Sequence, residues 1–406
     1  MLTDRFAESP EALDIDPAAF EAVVARAQRE IDAGAISSCQ LALARRGRIA
    51  AMRTLGRVTH DGVPADATND TLYIVFSCTK GIVSAAVWLL IQDGLLDLRD
   101  RVADFIPEFG TNGKDQVTIE HVMTHTCGFP NAPYPATEWH DRAKRLERFA
   151  RWRLDWEPGT RYVYHPTSGM WVMAEVIERR TGIDYRTFIR ERIAMPLGLD
   201  RMHIGLPREL HSRLADIEYR GTEPSAEEMR ALGWPEELPI TEVTEDAMMG
   251  FNRDFVREAG VPGGGGVMTA AELVLFYQAL LDEGRAPDGS VIWRPETLRM
   301  ARRVRTGTLT DPIFGRLIHR GVGISIAGDE QRPFRGFGHT NAPDAFGHNG
   351  AGGQVAWGDP ATGISFAFLT STFDRNPVRQ GRRGVALSSR AAICDAPADR
   401  PIGRSA

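Results

Sequence analysis

A serine and a lysine stand three residues apart at the start of an apolar run, in the order Ser77-Cys78-Thr79-Lys80. If this run is helical, the spacing brings the hydroxyl and the amine onto one face, within reach of each other. A serine hydroxyl is a weak nucleophile, but an amine whose pKa is lowered by burial can accept its proton. The pattern therefore predicts nucleophilic catalysis by Ser77 with Lys80 as its base.

The choice of lysine at this position is informative because lysine is rare in the chain. Only three of the 48 basic residues are lysines, at positions 80, 114 and 144. An ammonium group can release its proton inside a protein, whereas a guanidinium effectively cannot. A chain that otherwise uses arginine and keeps a lysine in the apolar segment Lys80–Leu90 indicates a chemical reason for that lysine.

The elements that must position this pair run in the order strands, helices, strands. Apolar segments predict strands near both ends of the chain, and helical periodicity predicts helices between them. The order predicts an α+β fold, with an antiparallel sheet built from both chain ends, flanked by helices, and an inserted mainly helical subdomain. The predicted strands are the hairpin Cys39–Ala44 and Ile49–Leu55, then Leu72–Phe76 leading to Ser77, then Gly321–Ala327, Gln354–Gly358 and Ile364–Thr370.

Changes in composition divide the chain into four parts. Residues 1–80 and 261–375 are expected to form the sheet subdomain, and 81–203 the helical subdomain. Residues 204–260 are rich in glutamate and are interpreted as an insertion or lid bordering the cleft. Residues 376–406 are rich in arginine and lose periodicity, which predicts a partly ordered C-terminal tail.

Three phrases of the sequence resemble the serine β-lactamase-related hydrolases, a family that includes class C β-lactamases, DD-peptidases and family VIII carboxylesterases. They are Asp70–Lys80, Gln92–Asp100 and His125–Pro130. The resemblance extends over most of the chain, from Ala51 to Thr370. It implies the β-lactamase/transpeptidase-like fold and acyl transfer through a serine.

In that family a tyrosine in a Tyr-x-Asn element is the second proton carrier. The segment Glu157–Pro166 resembles the surrounding phrase and implies that Tyr164 fills this role, either deprotonating Ser77 or protonating the leaving alkoxide. Pro166 stands where the asparagine would be, which puts in doubt any role that needs the amide to hold a β-lactam side chain. Tyr162 is the alternative if the alignment is shifted, and a purely structural tyrosine stays open.

The family's third element, Lys-Thr-Gly on a strand at the cleft, has no lysine available here because none follows Lys144. Its counterpart is His348-Asn349-Gly350, which the resemblance implies to be substrate-binding, with glycine allowing close approach of the substrate. His348 could hydrogen-bond Tyr164 or the substrate, or have only a packing role. By the same analogy, backbone N–H groups of Ser77 and Ala351 form the oxyanion hole.

Other patterns indicate no separate chemistry. His121 and His125 share a helical spacing but lack a third metal ligand, so we interpret them as structural and expect no metal. The run Gly263–Gly266 lacks the lysine of a phosphate-binding loop and is interpreted as a flexible wall of the cleft. No complete Gly-x-Ser-x-Gly motif occurs, which disfavours an α/β-hydrolase.

Composition excludes several partners. The net charge is −6, with acids and bases interspersed, which argues against nucleic acid and anionic membranes. The first 20 residues lack the basic and apolar segments of a secretory signal, so we expect a cytoplasmic protein. Four scattered cysteines are expected to be buried thiols. We expect no cofactor and a small-molecule ester as partner, and the oligomeric state stays open.

The sequence thus predicts a serine carboxylesterase that forms an acyl-enzyme on Ser77. The histidine in the third element, in place of a cation that would hold a substrate carboxylate, favours esters. β-Lactamase activity, D-aminoacyl peptidase or amidase activity, and acyl transfer to a small acceptor remain alternatives because the machinery is shared. A non-catalytic binding module is disfavoured because it has no physical reason to keep a buried lysine.

Overall fold

The computed structural model describes residues 2–231, 235 and 242–395. The strands, in chain order, are β1 (Ser38–Arg45), β2 (Arg48–His60), β3 (Val63–Asp66), β4 (Tyr73–Ile74), β5 (His203–Ile204), β6 (Glu218–Arg220), β7 (Gly266–Met268), β8 (Ser325–Ile326), β9 (Phe346–Gly347), β10 (Val355–Asp359), β11 (Ile364–Leu369) and β12 (Thr372–Asp374). The α-helices are α1 (Pro17–Asp32), α2 (Thr79–Gln92), α3 (Val102–Phe105), α4 (Ile119–Met123), α5 (Arg142–Arg151), α6 (Ser168–Thr181), α7 (Tyr185–Ile189), α8 (Ala226–Ala231), α9 (Glu245–Met249), α10 (Asp254–Ala259), α11 (Ala270–Leu281), α12 (Pro295–Arg302) and α13 (Pro377–Ala391).

An antiparallel sheet is built from both ends of the chain, with strand order β3-β2-β1-β11-β10-β9-β8. The two ends meet where β1 pairs with β11, in a register that sets Leu41 opposite Phe368. The β1–β2 hairpin turns through Arg46 and Gly47, which both have positive φ, as a type I′ turn requires. The predicted α+β fold and the predicted hairpin are confirmed.

Helix α2 lies at the centre of the molecule. Every residue from Thr79 to Leu90 is buried, because a helix that is apolar all round has no face to offer to water. It packs against α6 on one side and α12 on another. The indole of Trp88 donates a hydrogen bond to the carbonyl of Val322 (3.0 Å), which anchors the helix to the chain leading into β8.

The sheet is covered on both faces. Helix α11 packs on β1, β10 and β11, while α1 and α13 pack against each other and contact the same sheet. Helix α11 begins in a capping box, in which the Thr269 hydroxyl and the Glu272 carboxylate each accept a hydrogen bond from the other's backbone N–H. Its bounds agree with the helical periodicity of Ala270–Leu281.

The interpretation of residues 376–406 as a partly ordered tail is wrong for its first half. Residues 377–391 form α13, whose buried face includes Val378, Leu387 and Ala391. Arg383 also lies on that face, fully buried, with one guanidinium nitrogen 3.5 Å from a carboxylate oxygen of Glu30. A buried arginine within the apolar stripe conceals its periodicity. Residues 396–406 lie outside the described residues.

The segment 204–260 is joined to the rest of the fold by strand pairing. β5 pairs with β7, and β6 pairs in parallel with β12. Helices α9 and α10 follow near the cleft, while residues 232–234 and 236–241 of the predicted lid lie outside the described residues. No helix within residues 2–231 or 242–395 is both long enough and apolar enough to cross a bilayer.

Candidate active site

A strained turn delivers Ser77 to the cleft. Strand β4 pairs with β7, and the chain then passes through Phe76, a bulky residue with φ of +44°. Such a conformation costs a non-glycine residue about 1–3 kcal/mol and persists only where the surroundings impose it. The Phe76 ring is held by edge-on contacts with Phe251 (5.4 Å) and Phe373 (5.1 Å). Three aromatic rings therefore fix the backbone that presents the serine.

The Lys80 amine lies fully buried beside the serine hydroxyl. Its Nζ is 3.1 Å from Ser77 Oγ, 2.6 Å from the carbonyl oxygen of Pro166 and 2.7 Å from that of Gly263. Burial lowers the pKa of Lys80 to about 7, against the opposing effect of the Glu242 carboxylate. A neutral amine has two N–H donors and one lone pair. With the two carbonyls taking both donors, the lone pair is left for the hydroxyl hydrogen of Ser77.

The phenol of Tyr164 completes the group. Its hydroxyl lies near enough to Ser77 for that side chain to influence its pKa, and Lys80 Nζ lies 5.0 Å from the centre of its ring. Burial raises the pKa of Tyr164 to about 12, although Arg320 and Ser77 oppose the shift. Tyr164 therefore carries its proton in the resting site. Of the two predicted roles of Tyr164, a proton donor to the leaving group fits this state better than a base for Ser77.

Tyr162, the alternative tyrosine, occupies a different place. Its side chain is buried, and its hydroxyl accepts a hydrogen bond from Arg320 Nη2 at 3.3 Å. Tyr164, two residues on, makes the contacts with Ser77 and Lys80. The structure therefore selects Tyr164 as the neighbour of the nucleophile.

The predicted substrate-binding triplet divides into three different environments. His348 is buried, with its ring 6.0 Å from that of Tyr164 and its Nδ1 2.8 Å from the carbonyl oxygen of Asn349. Burial lowers the pKa of His348 well below its usual value, so the ring is neutral. Its contact with Tyr164 is between rings, and its Nε2 has no hydrogen-bond partner among the described residues.

The side chain of Asn349, which is predicted to bind substrate, makes hydrogen bonds to the backbone of the protein. Its amide nitrogen donates to the carbonyl of Gly336 (2.6 Å), and its amide oxygen accepts from the backbone N–H of Ala356 (3.3 Å). Both polar atoms are therefore committed to the backbone. Asn349 holds the loop around residue 336 against the sheet.

The absence of a side chain at Gly350 permits the close approach of another part of the protein. A Cβ at this position would lie 2.4 Å from the carbonyl oxygen of Val75, two residues before Ser77. The tight turn from Gly350 to Gln354, closed by a 3.0 Å backbone hydrogen bond, can thus rest directly against the segment that delivers the nucleophile. This packing sets Ala351 at the same cavity as Ser77, as the predicted oxyanion hole requires.

A cavity of about 290 Å³ opens at Ser77 and Ala351. Aromatic side chains form much of its wall, and the described part of the predicted lid contributes residues between Glu242 and Val256. The Glu242 carboxylate accepts a hydrogen bond from the Thr167 hydroxyl (2.8 Å), and burial raises its pKa. The aromatic residues of the wall are Phe76, Tyr134, Trp139 and Phe251.

The glycine run 263–266 is a close-packed wall, which corrects its interpretation as flexible. A Cβ at Gly263 would lie 2.7 Å from the carbonyl oxygen of Pro166, and one at Gly266 would lie 2.6 Å from Thr79 Oγ1. The absence of side chains lets this segment reach α2, where the Gly263 carbonyl accepts from Lys80. The run is thus part of the arrangement that prepares the amine.

Three buried residues gave weak or misleading signals in the sequence. Lys114 is also fully buried, with its amine donating to the carbonyls of Thr111 and Trp152, so scarcity of lysine did not by itself identify the reactive one. His125, interpreted as structural, has its ring 4.6 Å from that of Tyr164. Arg320, whose guanidinium lies 5.5 Å from the centre of the Tyr164 ring, gives no signal in the sequence, because it is one arginine among many and no local pattern marks it.

Comparison with known proteins agrees with this geometry. A family model described as beta-lactamase matches residues 21–390. The chain is 28% identical over 332 residues to Esterase/beta-lactamase LipL of Mycobacterium tuberculosis, covering 74% of this chain and 69% of that protein. It is 29% identical over 409 aligned positions to Esterase EstB of Burkholderia gladioli, covering 89% and 94%.

Among solved structures, a penicillin-binding protein homolog from Caulobacter crescentus has a TM-score of 0.74 at 26% identity, covering 93% of this chain and 98% of that one. The β-lactamase/transpeptidase-like fold implied by the resemblance is therefore confirmed. The names of these relatives indicate hydrolases of the beta-lactamase type, and they do not choose between esters, peptides and lactams.

Proposed function

The chain belongs to the beta-lactamase family, and within that family we propose that it is a serine carboxylesterase acting through an acyl-enzyme on Ser77. The observation that carries the proposal is the position of the Lys80 amine, 3.1 Å from Ser77 Oγ. Its two other hydrogen bonds go to the backbone carbonyls of Pro166 and Gly263. Such an amine is prepared to accept the serine proton at neutral pH.

The proposed reaction has two stages. Ser77 Oγ attacks the ester carbonyl while its proton passes to Lys80, and backbone N–H groups of Ser77 and Ala351 stabilise the oxyanion. The tetrahedral intermediate then collapses, and Tyr164 donates its proton to the departing alkoxide. The Lys80 ammonium returns a proton to Tyr164. In the second stage Lys80 takes a proton from water as the water oxygen attacks the acyl carbon. The bond from the acyl carbon to Ser77 Oγ then breaks, and the proton passes from Lys80 to Ser77 Oγ as the carboxylic acid leaves.

The preference for esters rests on what stands at two positions of the cleft. Pro166 offers a carbonyl to Lys80 and no side-chain amide, so the donor and acceptor that an asparagine would present to a β-lactam side chain are missing. His348 is neutral, so the third element supplies no cation for a substrate carboxylate. The aromatic cavity suits an apolar acyl group.

The nucleophile can be tested by covalent labelling and by burst kinetics. A fluorophosphonate probe should label the wild-type protein once, at Ser77, and a p-nitrophenyl ester should give a burst of one equivalent of nitrophenolate. Ser77→Ala should lose both signals. Equal behaviour of the two proteins would leave a non-catalytic binding module as the better description.

Substrate class is tested by rates on a panel. We expect p-nitrophenyl esters of graded acyl length to be hydrolysed with kcat/KM well above that for nitrocefin and for D-alanyl-D-alanine peptides. A greater kcat/KM for either of the latter would replace the esterase proposal by a β-lactamase or a peptidase. Product analysis with added alcohols would show whether acyl transfer competes with hydrolysis.

A further inference from the structure

We propose that Arg320 is a positioning residue for the chemistry of Ser77, acting through Tyr164 by stabilising the phenolate that forms when Tyr164 gives its proton to the departing alcohol. The inference rests on the proposed function. It adds a residue that lies outside all three family elements, on the turn that leads into β8. Arg320 does not need to touch the substrate to act in this way.

The surroundings of Arg320 leave its charge without a counterion. The side chain is 8% exposed, and its Nη2 donates to the Tyr162 hydroxyl, which is neutral. No carboxylate in the described part of the chain forms an ion pair with it, and its buried Nη1 has no hydrogen-bond partner there. A buried, incompletely bonded cation is costly, and fixed charge of this kind is found where a reaction develops the opposite charge.

The guanidinium is placed to act on Tyr164. Its Cζ lies 5.5 Å from the centre of the Tyr164 ring, close to the 5.0 Å at which Lys80 Nζ lies from the same ring. At such distances in a largely buried site, a positive charge stabilises a phenolate. Because Lys80 becomes an ammonium when it takes the serine proton, the phenolate would form between two cations.

The other groups around Tyr164 do not replace this charge. The rings of His125 and His348 lie 4.6 Å and 6.0 Å from it, and burial lowers the pKa of both, which keeps them neutral. Glu242 opposes loss of the Tyr164 proton, as does the Cys78 thiolate if it forms, although burial raises the pKa of that thiol. The remaining neighbours, Ser77 and Tyr162, are uncharged hydroxyls.

The proton balance gives a specific test. In the step concerned, the O–H bond of Tyr164 breaks, the bond from the acyl carbon to the alcohol oxygen breaks, and the alcohol oxygen gains the proton. An alkyl ester needs this proton because an alkoxide is a poor leaving group. A p-nitrophenyl ester needs it little, because nitrophenolate leaves without protonation. The decrease in rate caused by removing the Arg320 charge should therefore be larger for the alkyl ester than for the p-nitrophenyl ester.

The experiment compares ethyl and p-nitrophenyl butyrate in Arg320→Met and Arg320→Lys, with rates normalised to the number of sites that react with the fluorophosphonate. We expect Arg320→Met to lower kcat/KM for the ethyl ester about 10–100-fold, part of the usual contribution of general acid catalysis, and to lower it several-fold less for the nitrophenyl ester. Arg320→Lys, which keeps a charge, should recover much of the difference.

Two results would overturn the inference. One is an equal loss of kcat/KM on both esters in Arg320→Met, and the other is an Arg320→Lys variant no better than Arg320→Met.

Tyr162→Phe is the control for packing. It removes the hydrogen-bond partner of Arg320 and keeps the charge, so the ratio of kcat/KM between the two esters should stay near the wild-type value. If Tyr162→Phe changed this ratio as much as Arg320→Met does, the effect of Arg320→Met would be assigned to packing and not to charge. Failure of the proposed function itself would appear separately, as activity that survives Ser77→Ala.

Discussion

The lowered pKa of Lys80 makes the pH dependence of acylation a direct test of the site. A lysine with its ordinary pKa near 10.5 has only about one molecule in a thousand in the neutral form at pH 7.5. With a pKa of about 7, roughly three quarters of the sites hold the neutral amine. Burial therefore increases the population of the catalytic base by several hundredfold.

The same pKa of Lys80 predicts how the rate falls on the acidic side of the pH profile, the acid limb. Between pH 7 and pH 5 the neutral fraction of Lys80 falls from about one half to about one hundredth, so the acylation rate should fall roughly 50-fold. The measurement is kcat/KM for a p-nitrophenyl ester from pH 5 to pH 9, with Ser77→Ala as the background. The loss should occur as pH falls through 7, because protonation removes the lone pair that accepts the serine proton.

A matched pair of variants tests the cause. The Glu242 carboxylate raises the pKa of Lys80, so Glu242→Gln should move the acid limb to lower pH. Glu245→Gln alters an exposed carboxylate three residues on, which forms an ion pair with Arg375 at 2.7 Å, and should leave the limb where it is. A profile that is flat from pH 5 to pH 8, or a limb moved to higher pH in Glu242→Gln, would refute the assignment of Lys80 as the base.

Gly263→Ala should lower kcat at least tenfold and destabilise the fold by about 1–3 kcal/mol, because its Cβ would meet the Pro166 carbonyl at 2.7 Å. Gly264→Ala is the control, because the atom nearest to its Cβ would be 3.9 Å away. If both variants lost kcat and urea-unfolding midpoint to the same extent, this reasoning would be contradicted. Tyr164→Phe should lower kcat/KM for alkyl esters by about 10²–10⁴-fold, while the rate should still fall below pH 7 because Lys80 is unchanged. A smaller loss than that of Tyr162→Phe would reassign the proton donor.

Local sequence determined the features that depend on neighbouring residues. The three-residue spacing of Ser77 and Lys80 sets both groups on one face once the segment is helical. The apolar run from Lys80 to Leu90 predicts burial on every side, and the structure has that helix at its centre. The succession of strands, helices and strands along the chain followed from hydrophobic patterning, which sheets and helices impose over short segments.

Where patterning was interrupted, the sequence misled. Helix α13 was mistaken for a tail because Arg383 occupies a buried position on its apolar face. Nothing in the sequence indicated that the side-chain amide of Asn349 is bound to Gly336 and Ala356, and its substrate-binding role stays a prediction. Such bonds join segments that are adjacent only after folding, so no local pattern reveals them.

Tertiary structure alone decided how the amine is prepared for its reaction. The carbonyls that hold Lys80 belong to Pro166 and Gly263, which lie 86 and 183 residues further along the chain. Arg320 belongs to the second part of the predicted sheet subdomain. It reaches Tyr164, in the predicted helical subdomain, from the turn that leads into β8. The sequence by itself indicated the proposed nucleophile and its proposed base, whereas their pKa values come from burial and from charges that only the folded chain brings together.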